Sequence, residues 1–196
     1  MRGNITIHRQ TFGKGYTKQN TYYAGIKIFL SPKGMGETVA ERSNLWYDNN
    51  DKLLTFVEIA NLIRPYVLTG CKIYIGSDSM LTNKGCVFAT VICLHGVEQK
   101  VAIYYFNKFR SKEERYKNLR QKIMREVKLS LETACNLREY FPEEQIEIHA
   151  DVGLSQASAT SIYVDQVKGW VAGLGFTCKI KPKSWASSTV ADWHTK

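Results

Sequence analysis

The 196-residue chain lacks any apolar run near the roughly 20 residues that a membrane-spanning helix needs, and Met1-Arg2-Gly3-Asn4 opens without the apolar stretch of a secretion signal. Both absences predict a soluble, cytoplasmic protein with no membrane partner. Cysteine is sparse and unpaired: Cys71, Cys86, Cys93, Cys135 and Cys178 form an odd set without a CxxC pair, mostly within apolar runs. That argues against a zinc site or a disulfide framework and predicts reduced core thiols. Acidic residues are outnumbered, 18 Asp plus Glu against 27 Lys plus Arg, for a formal charge of +9. A surface of that sign attracts polyanions, with nucleic acid the first partner to consider. Apolar and aromatic residues make up 44% of the chain, enough for one globular domain with a real core.

Residues 1–50 read as an N-terminal extension or accessory arm, with few aliphatics in the first 20 positions and an excess of bases. It either touches phosphates or is simply solvated; a strand is expected over Tyr22–Leu30, before Pro32, Gly34 and Gly36. Residues 51–196 form the main domain. There, Thr55 and Glu58 have capping-box spacing and Leu54 and Ile59 the spacing of a hydrophobic staple, so a helix is expected over Phe56–Arg64, disrupted at Pro65. Strands are expected over Lys72–Ser77, Cys86–Leu94 and Lys100–Phe106 as a meander. Lys112–Tyr140 has no Pro or Gly and places Leu119, Ile123, Val127, Leu131, Ala134 and Leu137 in one stripe about 120° wide, an amphipathic helix packed on a sheet. A strand Ile146–Asp151, a helix Ser158–Leu174 ended by Gly175, a strand Phe176–Ile180 and a helix from Ala186 complete a βββαβαβα order of α/β class.

Two of these strands end in an aspartate, Asp78 and Asp151. In open α/β sheets sites gather at the carboxyl ends of strands, so on neighbouring strands the two acids would sit side by side; each alternatively caps a turn. Glu126 borders the apolar stripe of the long helix, where an acid is costly unless compensated: it either pairs with Lys122 at i, i+4 spacing or belongs to a site. Glu132 and Asp165 point to solvent. Asp192 lies to one side of the stripe Ala186, Val190, Trp193, a direction that suits a cleft or solvent. His149 shares a strand face with Asp151 by alternation, as a partner of that acid or as a packed residue. Ser77 and Ser79 flank Asp78 without a nearby base, which does not suggest nucleophilic catalysis.

The segments Ile73-Tyr74-Ile75-Gly76-Ser77-Asp78-Ser79, Arg125 to Glu132, His149-Ala150-Asp151 and Lys179 to Asp192 resemble a small bacterial family of ribonuclease H-like proteins, over roughly residues 52–196. The resemblance implies a mixed five-stranded sheet flanked by helices, following the N-terminal extension. It also implies an acidic quartet of Asp78, Glu126, Asp151 and Asp192, acidic at all four positions here. His194 falls where some relatives carry a histidine that moves protons or binds metal, and is otherwise an exposed histidine.

Such carboxylates are hard ligands suited to two Mg²⁺ or Mn²⁺ ions, with Asp78 and Asp151 contacting both and Glu126 and Asp192 mainly one each. No small-molecule organic cofactor is expected. The implied activity is a metal-dependent nuclease cutting phosphodiester bonds, with RNA in RNA/DNA hybrids as one substrate. Two alternatives stay open: a junction-resolving DNA endonuclease working as a symmetric dimer, and a nucleic-acid-binding module with the same fold and no turnover.

The sequence also offers phosphate contacts. Lys108, Arg110, Lys112, Arg115, Lys117, Arg120, Lys122, Arg125 and Lys128 outnumber Glu113, Glu114 and Glu126, and cations at a helix N-terminus oppose its dipole unless an external anion sits there. Arg115 and Lys122 are expected to share an edge with Glu126. Lys179, Lys181 and Lys183 alternate along the last strand and its exit as a second rail. Tyr104, Tyr105, Phe106 and Phe109 either stack bases or fill core.

Overall fold

The computed structural model describes the backbone of residues 5–12, 16–23 and 26–28, and residues 45–96, 102–155 and 158–196 with their side chains. The chain divides into two compact units, Met1–Thr38 and Val39–Lys196. In the first, β1 (Ile5–Phe12), β2 (Tyr16–Tyr23) and β3 (Ile26–Ile28) form an antiparallel sheet in that order. Of the strand expected over Tyr22–Leu30, Tyr22 and Tyr23 belong to β2 and Ile26–Ile28 is β3; the remainder lies outside the described residues.

The second unit is built on a mixed seven-stranded sheet rather than a five-stranded one, in the order β10-β9-β6-β7-β8-β4-β5. The two additional strands, β4 (Leu45–Asp48) and β5 (Leu53–Thr55), pair with each other, and β4 pairs with β8 (Ile103–Ser111). Their short length hides the alternation that marks a strand. What holds them is tertiary: Trp46 and Leu54 are buried in the core, and the Trp46 ring meets Phe56 edge-on at 5.9 Å.

Helix α1 (Phe56–Leu68) begins as its capping box requires: Thr55 Oγ1 accepts from Glu58 N and Glu58 Oε2 accepts from Thr55 N. It continues four residues beyond the expected stop at Arg64, with Pro65 inside it. Burial of Ile59, Ala60, Ile63 and Val67 offsets the single backbone hydrogen bond that proline removes. Strands β6 (Lys72–Thr82) and β7 (Gly85–His95) form one long antiparallel ladder with β8 beside them. β6 therefore runs past Ser77 and places Asp78 within the strand. The third strand of the meander begins at Ile103, and residues 97–101 lie outside the described residues.

The long helix expected from Lys112 is split. Residues 114–117 form a 3₁₀ turn, Asn118 is extended, and its side chain caps α2 (Leu119–Tyr140) by accepting from Gln121 N. Arg115 thus lies off the helix that carries Glu126, and the shared edge expected for Arg115, Lys122 and Glu126 does not form. The stripe Ile123, Val127, Leu131, Ala134 and Leu137 is buried as its spacing requires, whereas Leu119, its expected first member, is exposed in the first turn. Strand β9 (Ile146–Gly153) and β10 (Thr177–Lys181) run parallel to β6, joined by a short 3₁₀ turn (Ser161–Tyr163) and α3 (Val164–Gly173), which replace the longer helix expected from Ser158. Gly175, at φ 78°, ends α3 in the left-handed conformation that a side chain resists.

Core residues from α1, α2 and α3 cover one sheet face. On the other, a π-helical segment (Ala186–Ala191) leading into α4 (Asp192–Thr195) packs Ala186 and Ala191 on Val91, Cys93 and Phe106. All five cysteines are free thiols. No helix among the described residues is long and apolar enough to cross a membrane.

The close approach of this segment depends on Gly76, where an added Cβ would meet the Ser187 amide nitrogen at 2.5 Å. Gly76→Ala is expected to destabilise the domain by about 1–3 kcal/mol through overpacking. Denaturant unfolding should show the loss, and amide exchange at residues 186–195 should accelerate; protection unchanged there would contradict the close-packing account.

Candidate active site

The parallel register between β6 and β9 determines how the two aspartates meet. Ile73 lies opposite Ile146 and the ladder ends with Gly76 opposite His149; Asp78 and Asp151 each come two residues beyond that last pair, near enough for the Asp151 charge to act on Asp78. Neither acid ends its strand, contrary to the expectation from sequence: what ends beside them is the β6–β9 pairing. Alternation turns Asp78 with Gly76, and Asp151 with His149, to the face where the C-terminal segment packs.

His149 secures that segment. Its Nδ1 accepts from Ala186 N at 3.0 Å, so Nε2 carries the ring proton and donates to Glu147 Oε1 at 3.0 Å. Burial pushes its pKa below the usual histidine value, opposed by Glu147. His149 therefore positions Ala186 and the segment that leads to Asp192. From α4, Thr195 Oγ1 donates to Asp78 Oδ2 at 3.1 Å, and Lys196 Nζ lies 2.5 Å from Asp192 Oδ2.

Glu126 comes from the opposite face. Ser77 and Ser79, about 6.6 Å apart along β6, face Ser130 and Glu126, about 6 Å apart along α2, so the two periods match. Ser77 Oγ lies 2.8 Å from Ser130 Oγ and 2.9 Å from Thr90 Oγ1, and Ser79 Oγ donates to Glu126 Oε1 at 2.5 Å. Lys122 forms no ion pair with Glu126 among the described residues; its Nζ donates to Ser79 O at 3.1 Å. Glu126 is only 7% exposed.

Asp78 feels the charges of Asp151 and Asp192, and Glu126 those of Asp78 and Asp151. Burial, with smaller contributions from the Asp78 and Asp151 charges, pushes Glu126 up to about 8 against the Ser79 hydrogen bond and the Lys122 charge. Asp78 is pushed up to about 6, chiefly by burial, with Asp151 and Asp192 adding and Thr195 opposing. Asp151 Oδ1 is buried without an aligned hydrogen bond, its charge balanced by Lys181 Nζ at 3.0 Å. As the side chains stand, no three His, Cys, Asp or Glu among the described residues are gathered to hold a metal ion. An all-oxygen donor set, an oxygen without a hydrogen bond and two acids held above their usual range nonetheless fit a hard divalent cation, which would relieve their mutual repulsion.

The remaining residues singled out by sequence are spread around this centre. His194 stacks on Phe106, centroids 3.8 Å apart, and lies near Tyr104, on the side of α4 away from Asp192. Burial and the Lys108 charge lower its pKa. Arg115 pairs with Glu113 at 2.7 Å, Lys179 lies 3.9 Å from Glu147, and Lys183 is exposed beyond the irregularity that interrupts β10 at Lys181. Tyr105 and Phe106 are buried and Phe109 stacks on Phe88, so these aromatics are largely core. Sequence reasoning missed Thr195 as a partner of Asp78 and Ser79 as the partner of Glu126. The signal for Ser79 was its place two residues from Ser77 on a strand face; Thr195 gave none.

A family model described as Ribonuclease H-like matches residues 55–196. No curated protein and no solved structure matches the chain.

A carboxyl group whose folded pKa exceeds its unfolded value, near 4.3 for glutamate, stabilises the fold when protonated, and that contribution fades as pH rises through the folded pKa. Glu126→Gln mimics the protonated acid. In EDTA the variant should melt close to wild type at about pH 5 and above it at about pH 8, the gap widening with pH. Thermal melts across that range check this; a constant gap would mean that Glu126 is not held above its usual range.

Proposed function

The chain belongs to the ribonuclease H-like family, and on that premise we propose that it is a divalent-metal-dependent nuclease acting on phosphodiester bonds, the RNA strand of an RNA/DNA hybrid being the first substrate to test. The observation that carries this reading is the placement of Asp78 and Asp151 just beyond the end of the β6–β9 ladder, with Asp151 and Asp192 acting on the charge of Asp78, and Asp78 and Asp151 on that of Glu126. Asp78, Glu126, Asp151 and Asp192 would hold Mg²⁺ or Mn²⁺. When bound, such ions supply an activated water and charge stabilisation for the leaving oxygen.

The protein's own part is orientation and charge balance. Ser79 fixes the direction of the Glu126 carboxylate and Thr195 that of Asp78. Lys181 and Lys196 offset the charge of Asp151 and Asp192. His149 holds the terminal segment through its neutral ring and so places Asp192. The π-helical turn before Asp192 gives that carboxylate an approach an unbroken α-helix would not.

A second reading, nucleic-acid binding without turnover, draws on a specific observation: each of the four acids already has a hydroxyl or ammonium of the chain beside it. Incubating labelled hybrid, duplex, four-way junction and single strands with Mg²⁺, Mn²⁺ or EDTA separates the two. Cleavage by wild type in metal alone, reduced at least about 100-fold in Asp78→Asn, supports the nuclease. Binding across the panel without metal-dependent cutting replaces it with the second reading.

A further inference from the structure

Most of the cations the sequence offers for phosphate binding are already engaged: Lys122 with Ser79, Arg115 with Glu113, Lys179 with Glu147 and Lys181 with Asp151. Lys108 and Arg110 have no carboxylate partner among the described residues, and the sheet register places them on the side of the acids. Asp78 pairs with Ala89 on β7 and Ala89 with Lys108 on β8; one step outward, Met80 pairs with Val87 and Val87 with Arg110. Lys108 therefore stands in the same row as Asp78, two strands or about 10 Å away. Both bases share the face of Phe106, the residue on which His194 of α4 stacks, so they project on the carboxylate side of the sheet. Both are exposed, and neither forms an ion pair among the described residues. Lys108 Nζ lies 3.5 Å from the Lys196 carbonyl, at the end of the helix whose Thr195 reaches Asp78.

That helix also carries Trp193, at 78% the most exposed of the chain's four tryptophans. It is the neighbour of His194, which stacks on Phe106 of the strand that carries Lys108 and Arg110. An exposed indole on the helix that reaches β8, with two exposed cations on that strand, offers a stacking surface and phosphate contacts together, the combination that binds unpaired nucleotides, whose base faces are open. We infer that Lys108, Arg110 and Trp193 form a track for single-stranded nucleic acid leading to the carboxylates. This deepens the nuclease reading and rests on it for its direction: the strand presented to the acids has an unpaired flank.

The test uses fluorescein-labelled DNA and RNA single strands of about 20 nucleotides, with their duplexes, titrated in EDTA over a range of salt concentrations and read by anisotropy. Lys108→Ala/Arg110→Ala should weaken binding of every probe and flatten the log–log salt slope for single strands by about 1.4, the loss of two phosphate contacts. Trp193→Ala should weaken single-strand binding about 10-fold and leave duplex binding within about 2-fold. Melting temperatures should match wild type, since all three side chains are exposed. Single-strand binding as tight as wild type in either variant overturns the track, as does equal loss for single strands and duplexes in Trp193→Ala. Asp78→Asn should bind as wild type in EDTA. Continued cleavage by Asp78→Asn in metal would instead sink the catalytic reading and leave the binding measurements to stand on their own.

Discussion

The hydroxyl pairs between β6 and α2 make it tolerable to bury the Glu126 carboxylate, and much of the domain follows from that accommodation. An acid buried without partners costs several kcal/mol or gives up its charge. Here Ser77 and Ser130 bring helix and strand into register, Ser79 supplies the donor, and Lys122 contributes a positive field from the next turn while bonding elsewhere. Once α2 is held in that register its apolar stripe covers the sheet. The same contacts bring Glu126 close enough to the opposite face for Asp78 and Asp151 to be felt. An acid that would weaken an ordinary core here marks where the two faces of the sheet communicate.

Element order and the positions of the acids were largely legible from the residues, because local signals and global packing agree there. The Thr55–Glu58 capping box formed, and the stripe of α2 was buried. Asp78 and Asp151 came near each other because they lie on neighbouring strands that pair in parallel. The failures share a cause. Pro65 was tolerated because Ile63 and Val67 are anchored in the core, β6 continued past Asp78 because β7 supplies its partner, and β4 formed because Trp46 found a pocket. Each outcome depends on atoms distant in sequence. The break at Asn118, by contrast, was local and readable: its side chain caps α2 in the usual manner. The stacking of His194 on Phe106 was not legible, because on a four-residue helix its direction is decided by contacts with a distant strand.

The basic surface shows how a count of charges misleads. Lys179 and Lys181 lie on β10, at the edge of the seven-stranded sheet, where ammonium groups also discourage another chain from adding a strand. Their pairing with Glu147 and Asp151 gives them a reason to be there without any ligand. What distinguishes Lys108 and Arg110 is their row in the sheet, on the face of the acids and without a carboxylate partner among the described residues.

The acids belong to residues spread from 78 to 192, and the last of them rides on a segment that docks over Gly76 through a histidine from β9. During synthesis, the central strands and α2 emerge well before that segment, leaving a bare patch above Gly76 and an incomplete set of carboxylates. The four acids can therefore share one neighbourhood only after residues 186–195 have docked, a late step for a chain made from its N-terminus.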